Sequence, residues 1–368
     1  MKVKNNYNEC LTNLACSIRK YFDLDYNHNT LEYIDKILEE KQPKNVIVML
    51  FDGMGSRILD RTLPQDSFFI KNKYKDITTV FPATTTAATI SMRSGLNPVE
   101  HGWLGWNTYI NQIDKTITLF LNTEKDSKEI SNEFLEVKDN ILYQDFIPSL
   151  INKAGKYKSI ELFPFGPDPY TGLDDMLTKV KELTNQEGKK YIYAYDDEPD
   201  HTMHDFGPDS FEAQTLIKER NEKVEKLCNE LEDSIIIIVA DHGHIKVDHI
   251  FLKDYPDLLN MLERTTSLEQ RAVSFKVKEN QKENFVNLFN KLFGKYFTLY
   301  TKEDVIESNL FGIGKQNPNF EPAIGDFIAI AESSNKCLVV EGDEVLTSQH
   351  AGYTDDEIYI PLIVIDKK

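Results

Sequence analysis

The chain has 368 residues, 40% of them apolar and 11% aromatic, enough for a sizeable core, so a disordered chain is excluded. That length suits one large domain with an insertion, or two domains. A formal charge of −18 argues against a binder of duplex nucleic acid or of anionic membranes, whose footprint is basic, but leaves room for a small phosphorylated substrate because bound cations reverse the local potential.

The opening Met1-Lys2-Val3-Lys4-Asn5-Asn6-Tyr7 lacks the apolar stretch of a signal peptide. No apolar run approaches the roughly 18 residues that span a bilayer. Cys10, Cys16, Cys228 and Cys337 show neither a CxxC nor a zinc-ribbon spacing. The expectation is a cytoplasmic protein without disulfides or a membrane partner. Residues 1–42 read as two helices, the second around Leu31 to Leu38. Asn45 to Phe51 is an almost wholly apolar run rich in β-branched residues, the pattern of a parallel strand buried on both faces. It ends in Asp52-Gly53-Met54-Gly55. A carboxylate at a strand end beside glycines suits a hard-oxygen metal ligand, and it equally suits the cap of a following helix.

Val80-Phe81-Pro82-Ala83-Thr84-Thr85-Thr86-Ala87-Ala88 reads as a helix start after threonines. Free N–H groups and the helix dipole there stabilise an anion, while a plain threonine N-cap accounts for the same residues. A shorter helix and strand are expected within 146–163, and a further strand at Lys190 to Tyr195. Asp200 and His204 follow it with the i, i+4 spacing that can bring carboxylate and imidazole onto one ion. An amphipathic helix from about Ser210 to Glu232 leads to the strand Ser234 to Ala240, followed directly by Asp241-His242-Gly243. His201, His244 and His249 read as supporting or solvated, and His28 as structural. Strand-helix-strand repetition predicts an α/β fold, a mostly parallel central sheet with helices on both faces. Ligands in such sheets gather beyond the carboxyl ends of the strands. Residues 1–252 and 345–368 are assigned to this core. The stretch 253–344, with strands near 271–277 and 296–300 and a helix from Glu283 to Phe293, reads as a small α+β cap inserted over the site. His350, in Gln349-His350-Ala351-Gly352, brings the candidate ligands to three Asp and three His.

Taken together, Asp52-Gly53-Met54-Gly55, Phe81 to Gly102, Pro199-Asp200 through His204 to Gly207-Pro208, Ala240-Asp241-His242-Gly243, Gln349-His350-Ala351-Gly352 and Glu357 to Leu362 resemble the alkaline phosphatase superfamily. The closest likeness is to its type I phosphodiesterase and nucleotide pyrophosphatase branch. The resemblance implies a hydrolase with two divalent cations, zinc first and manganese second, one held by Asp200, His204 and His350 and the other by Asp52, Asp241 and His242. It further implies a threonine nucleophile bridging to the second ion. The nucleotide branch places its nucleophile immediately before Phe-Pro, which here is Val80. Counting back from Ser94-Gly95 puts it on Thr85, with Thr84 as the alternative, and the Phe-Pro-x-Thr-Thr form is similar to a bacterial subgroup. Asn107 falls one residue late for the asparagine that donates to the phosphoryl oxygen. Two divalent cations, three aspartates and a threonine alkoxide sum to near neutrality, which lowers the cost of a dry site. The activity implied is phosphodiester or pyrophosphate-bond hydrolysis through a phospho-threonine intermediate. A phosphomonoesterase is the nearer alternative, for which Arg93 lies too far along the helix to help. A non-catalytic, metal-bound scaffold or sensor is the alternative from another class.

Overall fold

The computed structural model describes residues 4–127, 129–340 and 342–368. The first three residues of the expected N-terminal helical stretch, and residue 341 of the expected insertion, lie outside the described residues. The six-stranded central sheet comprises β1 (Asn45–Phe51), β2 (Lys73–Thr78), β3 (Lys158–Leu162), β4 (Lys190–Asp196), β5 (Ser234–Val239) and β6 (Tyr359–Lys367), in the order β2-β6-β5-β1-β4-β3. β1 pairs in parallel with β4 and β5, and β3 in parallel with β4; only β6 runs antiparallel to its neighbours.

Every residue of β1, β4 and β5 is buried, which is why these strands are continuous apolar runs rather than alternating ones. Removing a Val, Leu or Ile side chain from water contributes about 1.5–3 kcal/mol, so the centre of the sheet is held as a rigid plate. The register aligns Phe51 with Asp196 and Leu50 with Val239, and thus brings three strand ends to one edge. The helix Phe211–Cys228 turns one buried stripe towards this sheet, with Ala213, Ile217 and Val224 in the core.

A second, seven-stranded sheet lies beyond that edge. Thr298–Thr301, Phe327–Ile330, Ala272–Phe275 and Ser267–Leu268 are antiparallel neighbours, and Leu268 opposite Asn107 carries the sheet on into Asn107–Ile110, Lys115–Thr118 and Thr123–Glu124. The strands within 253–344 therefore do not form a self-contained sheet, and this layer draws on residues far earlier in the chain. Phe275, Phe285, Phe289 and Phe293 pack the helix Lys282–Phe293 onto it. The chain returns to the main sheet through Ser348–Gln349, paired antiparallel with Ile245–Lys246. No helix among the described residues is long and apolar enough to cross a membrane.

The two layers are tied by an ion pair that water does not reach. Arg271 and Glu357 are both 0% exposed, and the guanidinium meets the carboxylate at Nε–Oε1 2.7 Å and Nη2–Oε2 2.9 Å. Arg271 also donates to the carbonyls of Ser334 and Lys336. Burial alone would raise the Glu357 carboxyl; the Arg271 charge together with the hydrogen bonds from Arg271 and Thr354 outweighs it and holds the group below the ordinary carboxylate value. Removing one partner strands a buried charge. Arg271→Met is expected to lower unfolding stability by about 3–5 kcal/mol in urea melts. With the carboxyl depressed in the folded state, the wild-type margin is present above the unfolded value near 4.5 and shrinks as the pH falls below it. The Arg271→Met protein should lack that part of the acid dependence.

Candidate metal centre

Asp52 leaves β1 directly. Its amide donates to Asp196 O at 2.9 Å and its carbonyl accepts from the Asp200 amide at 3.1 Å, so the ends of β1 and β4 are stitched together. Gly53 has φ +71°, and a Cβ there would lie 2.7 Å from Met203 Cε and 3.1 Å from Asp200 Cα. Only glycine lets this turn pass beneath the helix Asp200–Phe206. Gly243 is equally confined, since its Cβ would sit 1.9 Å from Asp356 O. Asp52 therefore does not cap a helix; the next one, Ser56–Thr62, is preceded by Gly55.

All six expected ligands converge at this edge, and His244 joins them. One atom each from Asp200, His204, His244 and His350 lie within 4.8 Å of one another, and so do single atoms of Asp52, Asp200 and His242. Asp241 adjoins the second group. Its Oδ1 accepts from the amides of Gly53 and His242, both at 3.0 Å, and its Oδ2 lies 3.6 Å from His242 Nε2. The His242 and His350 rings stack with centroids 3.8 Å apart.

The imidazoles share one orientation. Nδ1 faces an acceptor in each: Ser348 O at 2.9 Å for His204, Gly243 O at 3.1 Å for His242, Ser348 Oγ at 2.9 Å for His244 and Ala83 O at 3.1 Å for His350. The Ser348 hydroxyl spends its own proton on Met203 O, so it can only accept from His244. With Nδ1 turned to an acceptor, Nε2 is the ring atom turned towards the carboxylates in each case, and it can take a cation once it is unprotonated.

The carboxylates carry the same message. Burial first, then Asp241 and Asp200, push the Asp52 carboxyl well above its ordinary value, and burial raises Asp241 as well. Burial would raise Asp200 too, but His204 and His244 hold it well below. Burial lowers His244 to about 4 and sets His350 well below its usual range, so both rings are neutral. Burial opposes charge on His204 as well, but Asp200 outweighs it and lifts that ring to about 9. Asp241 Oδ2 is buried with no hydrogen-bond partner among the described residues, a costly condition for an anion that a coordinated cation relieves. Three carboxylates with four imidazoles turned Nε2-inward fit divalent ions of the zinc or manganese kind.

The helix Thr85–Ser94 starts beside this cluster. Thr85 Oγ1 lies 3.1 Å from His242 Nε2 and 3.3 and 3.4 Å from the two Asp52 oxygens. Thr84 occupies the N-cap position without capping, because its hydroxyl donates to Glu269 Oε1 at 2.7 Å. Asn107 sits on the second sheet opposite Leu268, and its Oδ1 accepts from Thr118 Oγ1 at 2.8 Å. Arg93 is occupied by Glu161 at 2.8 Å. His201 is exposed, His249 bonds Leu346 O, and His28 pairs with Glu100 at 2.6 Å.

Three residues of the site were not among the expected ligands or catalytic groups, His244 having been read as supporting or solvated. His244 is fully buried with its Nε2 on Asp200 Oδ1, and the signal available was its i+2 position after His242. Tyr195, the penultimate residue of β4, donates to Asp52 Oδ2. Glu269 has no local signal at all, and burial lifts its carboxyl to about 7 against the hydrogen bonds from Thr84 and Trp106.

A family model described as type I phosphodiesterase / nucleotide pyrophosphatase matches residues 46–353, which include every strand of the second sheet and all of the central sheet but its last strand and Asn45. Among solved structures the chain is similar to murine ectonucleotide pyrophosphatase / phosphodiesterase 5, at 19% identity over 87% of this chain and 88% of that one, with a TM-score of 0.64. An inactive threonine-to-alanine form of that mouse protein in complex with AMP matches at 18% identity over 87% of each chain, again with a TM-score of 0.64. The human counterpart matches at 19% identity over 87% of each chain, with a TM-score of 0.62.

If His244 belongs to the cation site, His244→Ala should weaken divalent-ion binding by about 10- to 100-fold. Calorimetric titration of the metal-stripped protein with Zn²⁺ or Mn²⁺ measures it. Unaltered affinity would place the ring outside the site.

Proposed function

The chain belongs to the type I phosphodiesterase / nucleotide pyrophosphatase family of the alkaline phosphatase superfamily, and from that premise we propose that it hydrolyses phosphodiester or pyrophosphate bonds of small substrates with Thr85 as nucleophile. The observation that carries the assignment is the split between neighbouring threonines. Thr85 Oγ1 is aimed at His242 and both oxygens of Asp52, whereas Thr84 Oγ1 is committed to Glu269.

Asp200, His204, His244 and His350 would hold one divalent cation. Asp52, Asp241 and His242 would hold another, with Thr85 alongside. When bound, these cations supply the positive charge that acidifies a hydroxyl and stabilises a departing oxygen.

The chain's own groups do the rest. Asp52 accepts the Thr85 hydroxyl hydrogen bond and is itself oriented by the Tyr195 hydroxyl. Thr85 is the first residue of its helix and no side chain caps that end, so free backbone N–H groups face an incoming phosphoryl oxygen and the helix dipole favours its charge. Asn107, with its Oδ1 turned to Thr118, keeps its amide N–H groups for a second phosphoryl oxygen. Attack forms the bond from Thr85 Oγ to phosphorus and breaks the bond from phosphorus to the leaving group. Water then cleaves the phospho-threonine and restores the hydroxyl.

Among the described residues, no Lys or Arg hydrogen-bonds or ion-pairs with Asp52, Thr84, Thr85, Asp200, Asp241 or Glu269. A monoester dianion would need such a cation, so the diester reading is favoured over a phosphomonoesterase. A scaffold without catalysis would not require a hydroxyl held against Asp52 and His242. Four buried, unpaired thiols are consistent with a reducing, cytoplasmic setting.

With Zn²⁺ or Mn²⁺ supplied, bis(p-nitrophenyl) phosphate should be turned over. Thr85→Ala should lower kcat by a factor of about 10³ or more, and Thr84→Ala should cost far less. The reverse order would move the nucleophile to Thr84, and no turnover of any phosphate ester by the metal-loaded protein would favour the scaffold.

A further inference from the structure

One polar side chain beside the threonines has no part in this scheme. Glu269 follows the short strand Ser267–Leu268, and its Oε1 accepts from Thr84 Oγ1 and from the Trp106 amide, both at 2.7 Å. Its other oxygen, Oε2, has no hydrogen-bond partner among the described residues, and the residue is only partly buried. Next to it Trp106 and Phe120 meet edge to face at 6.2 Å, and both remain more than a third exposed. Beside Thr85 there is thus a carboxylate oxygen next to two partly exposed aromatic rings, and among the described residues no Lys or Arg bonds to Thr84, Thr85 or Glu269.

We propose that Glu269 is a specificity-determining residue that sorts phosphodiesters by charge, favouring an alkylammonium-bearing ester group and disfavouring one that carries further phosphate. This rests on the phosphodiesterase reading of the same site. A carboxylate oxygen with no internal donor takes one from the substrate, and a charged donor makes the stronger bond. Indole and phenyl faces attract the same cation through their quadrupoles. A second phosphate brought to the same place meets like charge in a partly desolvated cleft, where repulsion is poorly screened. The tie to Thr84 and Trp106 holds the carboxylate in place, since Thr84 adjoins the nucleophile and Trp106 adjoins Asn107.

The test uses three p-nitrophenyl phosphodiesters with the same leaving group and a 2-aminoethyl, propyl or 2-phosphoethyl second ester, given to the metal-loaded protein at a pH above the value of about 7 to which burial lifts Glu269, so that the group is a carboxylate. Dissociation constants of the matching non-hydrolysable phosphonates are measured alongside. Aminoethyl should exceed propyl by about 10- to 100-fold in kcat/KM, the range of one charge-assisted hydrogen bond, with the gain in KM and in the phosphonate Kd. Phosphoethyl should fall below both. Glu269→Gln should bring all three ratios towards one, and Glu269→Asp, which keeps the charge but withdraws it, should retain part of the preference. A preference unchanged in Glu269→Gln, or an equal loss on all three compounds, would overturn the proposal and leave Glu269 as a structural tie. Absence of turnover on every compound would count against the phosphodiesterase reading instead, and the phosphonate Kd series would still decide the role of Glu269.

Discussion

Negative charge crowded where water cannot reach it is the constraint on which this molecule is arranged. Asp52 and Asp241 are 2% and 0% exposed, and Asp200 reaches into the same space from a third segment. Taking an isolated carboxylate out of water costs several kcal/mol after relaxation, and three in one place add mutual repulsion. The fold meets that cost with backbone amides from Gly53 and His242, the Tyr195 hydroxyl, and imidazoles turned to offer Nε2. What remains uncompensated, Asp241 Oδ2 above all, is what a divalent cation satisfies. The glycines beside these aspartates follow from the same demand, because segments bearing like charges can be brought so close only where the backbone carries no side chains.

Which parts of this were legible in the sequence follows from the range of the interactions involved. The strands at 45–51, 190–196 and 234–239 were legible because burial on both faces leaves a local signature, a run of apolar residues, and the ligands that follow them inherit that legibility by position. The helix start at Thr85 was legible for the same local reason. The second sheet was not: Leu268 opposite Asn107 is a long-range pairing that no local periodicity records. This is why 253–344 reads as a separate insertion while its strands share a sheet with residues 107–124. His244 could be read only as supporting or solvated because its partners, Asp200 and Ser348, are supplied from 44 and 104 residues away. Glu269 is meaningful only once Thr84 and Trp106 are in place, and so escapes any reading along the chain.

The two sheets divide the work. The parallel sheet is a plate whose edge offers carboxylates and imidazoles in fixed register, and the second sheet brings up a wall bearing Asn107, Trp106 and Glu269. Arg271 and Glu357 bind wall to plate at a point where neither can exchange its partner for water. On the proposed reading, that arrangement puts the candidate ligands on the rigid side, and Asn107 and the proposed specificity residue Glu269 on the other. It accords with catalytic geometry tolerating little displacement while recognition surfaces vary.

The late return of the chain has a consequence for biosynthesis. His350 donates to Ala83 across 267 residues, and Ser348 orients His204 and His244 across 144 and 104. A chain emerging from the ribosome can assemble β1, β4 and β5 and gather their carboxylates well before these partners exist. A chain that has not yet made residues 347–351 lacks the His350 imidazole and the Ser348 acceptors that orient His204 and His244. Completion of the group formed by Asp200, His204, His244 and His350 is thereby deferred to the end of translation, whereas Asp52, Asp241 and His242 are all in hand by residue 242.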